Sequence, residues 1–566
     1  IGKLITARTT DELVENLKET EYYAPLKKIK DTDNVTLYDY NLALDLYYYT
    51  STWKEQKKIL KKSRRRLSGT ERILSIPNMW IERLSCLYYI KHIDKKRFRG
   101  KEFLMKMSPA ECLAAQREFF ESGATKDYHF RMNALSRLEK SILAREDEIS
   151  QALKADLNKS PFESYMSETG MVLSEISYAK RHLKGWMKKK RVPTPMAQFP
   201  ASSFTVPEPY GSALILAPWN YPFMLALDVL AGAVAAGNCA VISPSEYAPV
   251  TAQLIRKIIS DVFPENYIAV ADGGVECNQE LLRLPFDYIF FTGSPRVGQI
   301  VMKAAAEHMT PVTLELGGKS PCIVDETACL PVAARRLAFG KCLNAGQTCV
   351  APDYLLIQES VKEEFLTLLK KEITSMYGQD ILINPDYPRI ITRDHYNRIL
   401  RLIRESCEPD SIFFGGKGDD ITLKIEPTIL TDVSLNSPVM SEELFAPVLP
   451  VLTFRTLDQA CRTVKNFEKP LALYLFSTDR SAQEKILTEI SFGGGCINDT
   501  IVHLATPHMG FGGVGNSGIG SYHGKKSFET FSHQKSILKK SARIDIPLRY
   551  HPATDRKNRL IRMFLK

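Results

Sequence analysis

Three short runs of this chain hold residues that could do chemistry together. Cys349 closes Asn344-Ala345-Gly346-Gln347-Thr348-Cys349. Glu315 lies 34 positions earlier, in Leu314-Glu315-Leu316-Gly317-Gly318-Lys319-Ser320-Pro321, and Asn220 lies 95 before that, in Ala217-Pro218-Trp219-Asn220-Tyr221-Pro222. A thiol, a carboxylate and an amide are the parts of covalent catalysis at a carbonyl carbon. A thiolate adds to such a carbon, the alkoxide that develops needs donors placed in advance, and a carboxylate can then activate water. Two leucines flank Glu315, and their desolvation pushes its pKa towards the neutral range that a base needs. The thiol must be partly ionised, which calls for electropositive or helix-N-terminal surroundings. Gly346 sets Cys349 on a turn where it can face a cleft. Cys342 is the local rival, but it falls inside a helical pattern and lacks a glycine neighbour.

The text around these runs alternates strand and helix. Apolar, strand-like runs at 212–217, 239–242, 267–271 and 288–292 are separated by helical patterns at 223–236, 251–262 and 276–284, with another helix at 297–307. This rhythm predicts a parallel, doubly wound sheet, the usual support for a dinucleotide. A second alternating unit starts near Gly317, with strands at 321–324 and 354–357 and helices at 330–344 and 361–376. Residues 120–190 have the spacing of amphipathic helices.

Gly293-Ser294-Pro295-Arg296-Val297-Gly298 sits between a predicted strand and helix, with backbone amides free to face a pyrophosphate. Gly510-Phe511-Gly512-Gly513-Val514-Gly515 matches G-x-G-x-x-G in letters, but no strand and helix flank it. Gly318-Lys319-Ser320 looks like the end of a P-loop, yet Thr313 stands where the opening glycine belongs. Neither is assigned.

Composition narrows the classes. Eleven cysteines without a C-x-x-C pair fit reduced thiols, not a disulfide framework or a zinc site, and no metal is expected. The longest apolar stretch, 225–242, carries Asp228 and Asn238, so it reads as a helix running into a strand and not as a membrane span. The net charge is +10, but residues 1–100 hold 21 Lys and Arg against 13 Asp and Glu, leaving +2 for the remainder. The body of the chain is therefore nearly neutral, and no nucleic-acid partner is expected. The first hundred residues lack the strand–helix rhythm. They are basic and Tyr-rich, and their runs at 17–26, 42–49 and 80–89 resemble part of the C-type component of the V/A-type ATPases. The alternative is a generic basic helical extension. No catalytic constellation is visible there.

In order and spacing, the runs around Asn220, Glu315 and Cys349 resemble the aldehyde dehydrogenase superfamily. The glycine-rich text at 507–533, Pro222-Phe223, and Leu548-Arg549-Tyr550 followed by Pro552 are similar to its class 3 branch, and the resemblance spans about 107–566. It implies oxidation of an aldehyde to the acid. Cys349 forms a thiohemiacetal whose C–H leaves as hydride, Asn220 and the Cys349 N–H hold the oxyanion, and Glu315 activates water against the thioester. Glu442-Glu443-Leu444-Phe445-Ala446-Pro447 resembles the family's Glu-Glu-x-Phe-Gly-Pro run, which implies that Glu443 holds the nicotinamide ribose and Phe445 packs near the ring. Ser243-Pro244-Ser245-Glu246 stands where the family has Lys-Pro-Ser-Glu. Glu246 then takes the adenosine ribose and its charge disfavours a 2′-phosphate, so NAD is the expected cofactor and NADP the alternative. Ala217, Trp219, Ser243, Gly293, Ser294, Val297, Gly298 and Leu316 complete the expected cofactor contacts.

The resemblance further implies an α/β aldehyde dehydrogenase fold, with a Rossmann-like cofactor domain, an α/β catalytic domain and small oligomerisation strands, behind an all-α N-terminal segment. The expected boundaries are 1–100 for the helical segment, 107–316 for the NAD-binding domain with its N-terminal helices, and 317–505 for the catalytic domain. Residues 506–566 would shape the substrate entrance and a dimer contact. A cytosolic homodimer without a membrane anchor, acting on medium-chain, long-chain or aromatic aldehydes, is the expected protein. A coenzyme A-acylating dehydrogenase is the enzymatic alternative, disfavoured by Glu315. A structural component of an ATPase assembly fused to a dehydrogenase is the other.

Overall fold

The computed structural model describes residues 107–406 and 408–565. The ATPase-like, all-α reading of residues 1–100 lies outside the described residues.

Four amphipathic helices open the described chain: Pro109–Glu121, Tyr128–Leu143, Glu146–Leu157 and Gly170–Trp186. The first starts sharply because Ser108 and Glu111 form a reciprocal capping box in front of Pro109. These helices give a sheet its cover. In spatial order its six strands are Gly518–Ile519, Val312–Leu316, Tyr288–Gly293, Ser212–Leu216, Cys239–Ser243 and Ile268–Val270, parallel except for the first. The parallel strands are largely buried on both faces, which is why they read as continuous apolar runs. One face packs Cys112, Leu113, Phe286 and Val301 against Leu214, Val241, Ile289 and Leu314. Helix Met224–Ala236 is buried along its whole length, and its alanines and glycine allow that close packing.

The chain enters this sheet at Ser212–Leu216, builds outward through Cys239–Ser243 and Ile268–Val270, then returns to the other side of its first strand with Tyr288–Gly293. The strand order reverses there, and in open α/β sheets the crevice beyond the carboxyl ends of such strands is where ligands bind.

A second sheet has seven strands, in the order Ile412–Phe414, Thr428–Leu430, Val448–Phe454, Tyr354–Gln358, Pro321–Val324, Ala472–Phe476 and Gly494–Ile497. Only the outermost, Ile412–Phe414, runs antiparallel. A third, three-stranded sheet joins Lys190–Val192, Ala201–Pro209 and Ser532–Lys540, with nine residue pairs between the last two.

The predicted strands and helices from 212 to 377 are present, with ends shifted by a few residues. Two differences bear on the site. The helix expected over 330–344 stops at Cys342, because Asn344, Ala345 and Gly346 all adopt left-handed backbone. The sheet expected within 107–316 also takes in Gly518–Ile519, which pairs with Glu315 and Leu314. A two-residue strand has no alternating pattern to read.

Candidate active site

Cys349 is delivered by a strained turn. Helix Leu330–Cys342 ends, and Asn344, Ala345 and Gly346 follow with φ of 50°, 50° and 73°. Left-handed backbone costs roughly 1–2 kcal/mol for a residue with a Cβ, so surrounding contacts must hold this turn. The contacts are specific. The Asn344 N–H donates to Glu163 at 2.8 Å, and the Asn344 amide donates to the carbonyls of Asn220 (2.8 Å) and Gln347 (3.1 Å). Gln347 Nε2 donates to the carbonyls of Asn344 and Arg389, while its Oε1 accepts the Ile391 N–H. A Cβ on Gly346 would sit 2.2 Å from the Ala446 carbonyl oxygen, so only glycine fits there.

Glu315 meets the thiol from the other side. It lies on Val312–Leu316, between Thr292 of the neighbouring strand and Gly518 of the short antiparallel one, and is 1% exposed. The Cys349 thiol and the Thr292 hydroxyl face its carboxyl, but neither closes a full hydrogen bond, so both carboxyl oxygens are buried without a partner. Burial pushes the Glu315 pKa up to about 7, offset in part by Cys349 and His523. This is the desolvated carboxylate that the two leucines predict.

The surroundings of the thiol differ from expectation. Burial, followed by the charges of Glu315 and then Glu443, holds Cys349 well above the ordinary thiol range. Carboxyls face it where an electropositive pocket was expected, so the thiol rests protonated beside a base.

Asn220 follows strand Ser212–Leu216 and is 3% exposed. Its Nδ2 donates to the Gln347 carbonyl at 3.2 Å, which ties it to the Cys349 loop and leaves its second N–H uncommitted. The next residue, Tyr221, donates to or accepts from Thr348 at 2.6 Å. Asn220, Glu315 and Cys349 are thus brought together from three elements.

The expected cofactor residues line the carboxyl ends of the first sheet. Ala217 and Trp219 follow Ser212–Leu216, Ser243 ends Cys239–Ser243 with Glu246 three residues on, and Gly293 ends Tyr288–Gly293. Helix Pro295–Glu307 starts there with Ser294 as its cap, accepting from the Val297 N–H at 3.4 Å. A Cβ on Gly298 would be 2.7 Å from Leu316, so this glycine lets the helix N-terminus lie against the strand that carries Glu315. A helix N-terminus at a switch point suits a pyrophosphate. Ser243 is buried and its hydroxyl donates to Asn278 Oδ1 at 2.6 Å, whereas Glu246 is exposed and lies over Gly274.

Glu443 is half-buried, and a Cβ on Gly317 would be 1.8 Å from its Oε2. Burial first, then Asp353, raises its pKa well above the carboxylate range. The loop that carries it is fixed by the buried Lys319–Asp353 pair: Lys319 donates to the carbonyls of Val439 (2.8 Å) and Glu442 (3.0 Å), and Asp353 accepts the Leu444 N–H at 2.9 Å. Phe445 meets Trp219 edge-on at 5.3 Å. His395 also meets Trp219 edge-on at 5.2 Å, and Tyr247 lies 6.4 Å from His395. Sequence reading missed His395, which is one polar residue in an amphipathic helix and carries no local signal. It also missed Lys159, Glu163 and Glu168, charged residues that carry no local signal but are buried at the base of the Cys349 turn.

The two parallel sheets and the thiol–carboxyl–amide cleft between their strand ends define an aldehyde dehydrogenase. The Aldehyde dehydrogenase family model matches residues 107–537, and the chain belongs to that family. The chain is 49% identical to the 4,4'-diaponeurosporen-aldehyde dehydrogenase of Staphylococcus aureus over 79% of its own length and 97% of the relative's. It is 45% identical to the dimeric NADP-preferring aldehyde dehydrogenase of Mus musculus, covering 75% of this chain and 93% of that one. Among solved structures, the substrate-bound state of Staphylococcus aureus AldH superposes with a TM-score of 0.79 at 48% identity, covering 82% of this chain and all of the other. The betaine aldehyde dehydrogenase of Staphylococcus aureus with NAD+ superposes at 0.69 with 26% identity, covering 78% and 88%.

Proposed function

We propose that this enzyme oxidises an aldehyde to its carboxylic acid with NAD or NADP, through a thiohemiacetal and then a thioester on Cys349. The observation that carries this reading is a thiol facing a buried carboxyl whose oxygens close no full hydrogen bond among the described residues. Glu315, with its pKa near 7, takes the thiol proton as sulfur adds to the carbonyl, and the free N–H of Asn220 with the Cys349 backbone N–H receives the oxyanion. The thiohemiacetal C–H is then the hydride donor; a bound oxidised nicotinamide supplies the acceptor. Glu315, deprotonated again, activates the water that releases the acid.

The residues at the strand ends fit a dinucleotide. Gly293–Gly298 offers backbone N–H groups at a helix N-terminus, Trp219 and Phe445 form an apolar slot, and Glu246 is free for a ribose diol. The proposed substrate is a medium-chain, long-chain or aromatic aldehyde, and the relatives' names support an aldehyde. A homodimer is supported by strand Ser532–Lys540, a nine-residue sheet edge with Ile537 and Leu538 exposed. Such an edge invites pairing with a second copy.

The test is NAD(P)H formation by the full chain against straight-chain and aromatic aldehydes, with Cys349→Ala alongside. Aldehyde-dependent turnover that Cys349→Ala abolishes is expected. Turnover that survives the substitution contradicts the reading.

A further inference from the structure

Beneath the Cys349 turn lies an ion pair that neither the hydride donor nor the base accounts for. Lys159 and Glu168 are both 0% exposed and 2.5 Å apart. The three donor positions of the ammonium are all taken: Glu168 Oε1, the Asn220 carbonyl at 3.0 Å, and the face of the Tyr221 ring at 3.9 Å. Glu168 Oε2 accepts the N–H groups of Phe223 (3.0 Å) and Met224 (2.9 Å), at the start of the helix that follows Asn220. Glu163, the other carboxyl acting on Lys159, accepts the Asn344 N–H. The Asn344 amide donates to the same Asn220 carbonyl. The segment 220–224 is therefore gripped at one carbonyl, one ring and two N–H groups by a single pair. A buried pair is weak evidence for stability, because desolvation offsets its attraction. Its contacts converge instead on the backbone around Asn220, the residue whose amide direction matters.

We infer that Lys159, paired with Glu168, is a positioning residue that fixes the Asn220 carbonyl and so aims the Asn220 amide at the oxyanion formed over Cys349. The inference rests on the proposed role of Asn220 as oxyanion donor and names what aims it. Removing the ammonium lets residues 220–221 rotate, which weakens oxyanion stabilisation while the thiol itself stays in place.

Two reactions of Cys349 in the full-length protein separate these effects. Acetylation by p-nitrophenyl acetate passes through a tetrahedral oxyanion: sulfur bonds to the acetyl carbon and p-nitrophenolate leaves. Alkylation by iodoacetamide displaces iodide from a saturated carbon and forms no oxyanion. Lys159→Met should slow acetylation at least tenfold and leave alkylation within twofold of wild type. Glu168→Gln, which keeps an acceptor for Phe223 and Met224, should show the same split and serves where Lys159→Met does not fold. Asn220→Ala is the control for the underlying role. If Asn220→Ala acetylates normally, the oxyanion assignment fails. If it is slow while both Lys159→Met and Glu168→Gln acetylate normally, or if acetylation and alkylation fall together in both, the positioning role is overturned.

Discussion

Cys349 and Glu315 set each other's protonation, and this gives the site a pH signature. Glu315 must be ionised to accept the thiol proton, so kcat/KM should rise with pH through about 7 and level off above it. Glu315→Gln should remove that limb. The same raised pKa has a consequence for stability. The folded value exceeds the ordinary carboxylate value of 4.5, so folding favours the neutral form; that stability is complete below about pH 4.5 and is lost as pH rises through about 7. Glu315→Gln should therefore be more stable than wild type at pH 8, by on the order of 3 kcal/mol, with little difference at pH 4. Thermal denaturation at the two pH values checks it. At this scale the sequence was informative: the thiol, the carboxylate and the amide were legible from type and flanking text, and so was the rise in the Glu315 pKa. The carboxyl-faced thiol was not, because Glu315, Glu443 and Cys349 meet only through tertiary packing.

The element that matters most is the left-handed turn between helix Leu330–Cys342 and Cys349. Gly346→Ala adds a methyl 2.2 Å from the Ala446 carbonyl oxygen at a φ of 73°, so the turn must move. The variant should lose at least tenfold in kcat, about 1.4 kcal/mol, while dinucleotide affinity measured by fluorescence titration stays within threefold. A matched loss of both would place the damage in the fold as a whole. A second element-level expectation concerns Glu246 at the end of Cys239–Ser243. On the proposed reading its exposed carboxylate takes the adenosine ribose and repels a 2′-phosphate, so Glu246→Gln should raise kcat/KM for NADP relative to NAD. An unchanged ratio contradicts that placement. Strand and helix patterns from 212 to 377 were readable because apolar periodicity is strong there. The end of the helix at Cys342 and the strand Gly518–Ile519 were not, since tertiary contacts, and not local pattern, dictate them.

For the whole molecule, the family match spans residues 107–537, and every residue placed at the site lies within it. A chain lacking residues 1–100 should keep kcat/KM within tenfold, about 1.4 kcal/mol, of the full-length protein. A larger loss would make the N-terminal segment part of the working enzyme. The weave of the C-terminal region into two sheets predicts the opposite for the other end. Deleting from Gly518 onward removes a strand beside Glu315 and the nine-residue partner of Ala201–Pro209, and should abolish folding. The charge asymmetry of the sequence sets residues 1–100 apart as an expectation; nothing in its pattern showed how far the C-terminal text reaches back into the first sheet.

The most direct test traps the covalent intermediate. Glu315→Gln, mixed with cofactor and an aldehyde turned over by the wild type, should release at most one equivalent of NAD(P)H per site and then stall, with the acyl mass on the peptide that contains Cys349. An acyl group on any other cysteine, or sustained wild-type turnover with no adduct, would contradict the assignment of Cys349 and Glu315.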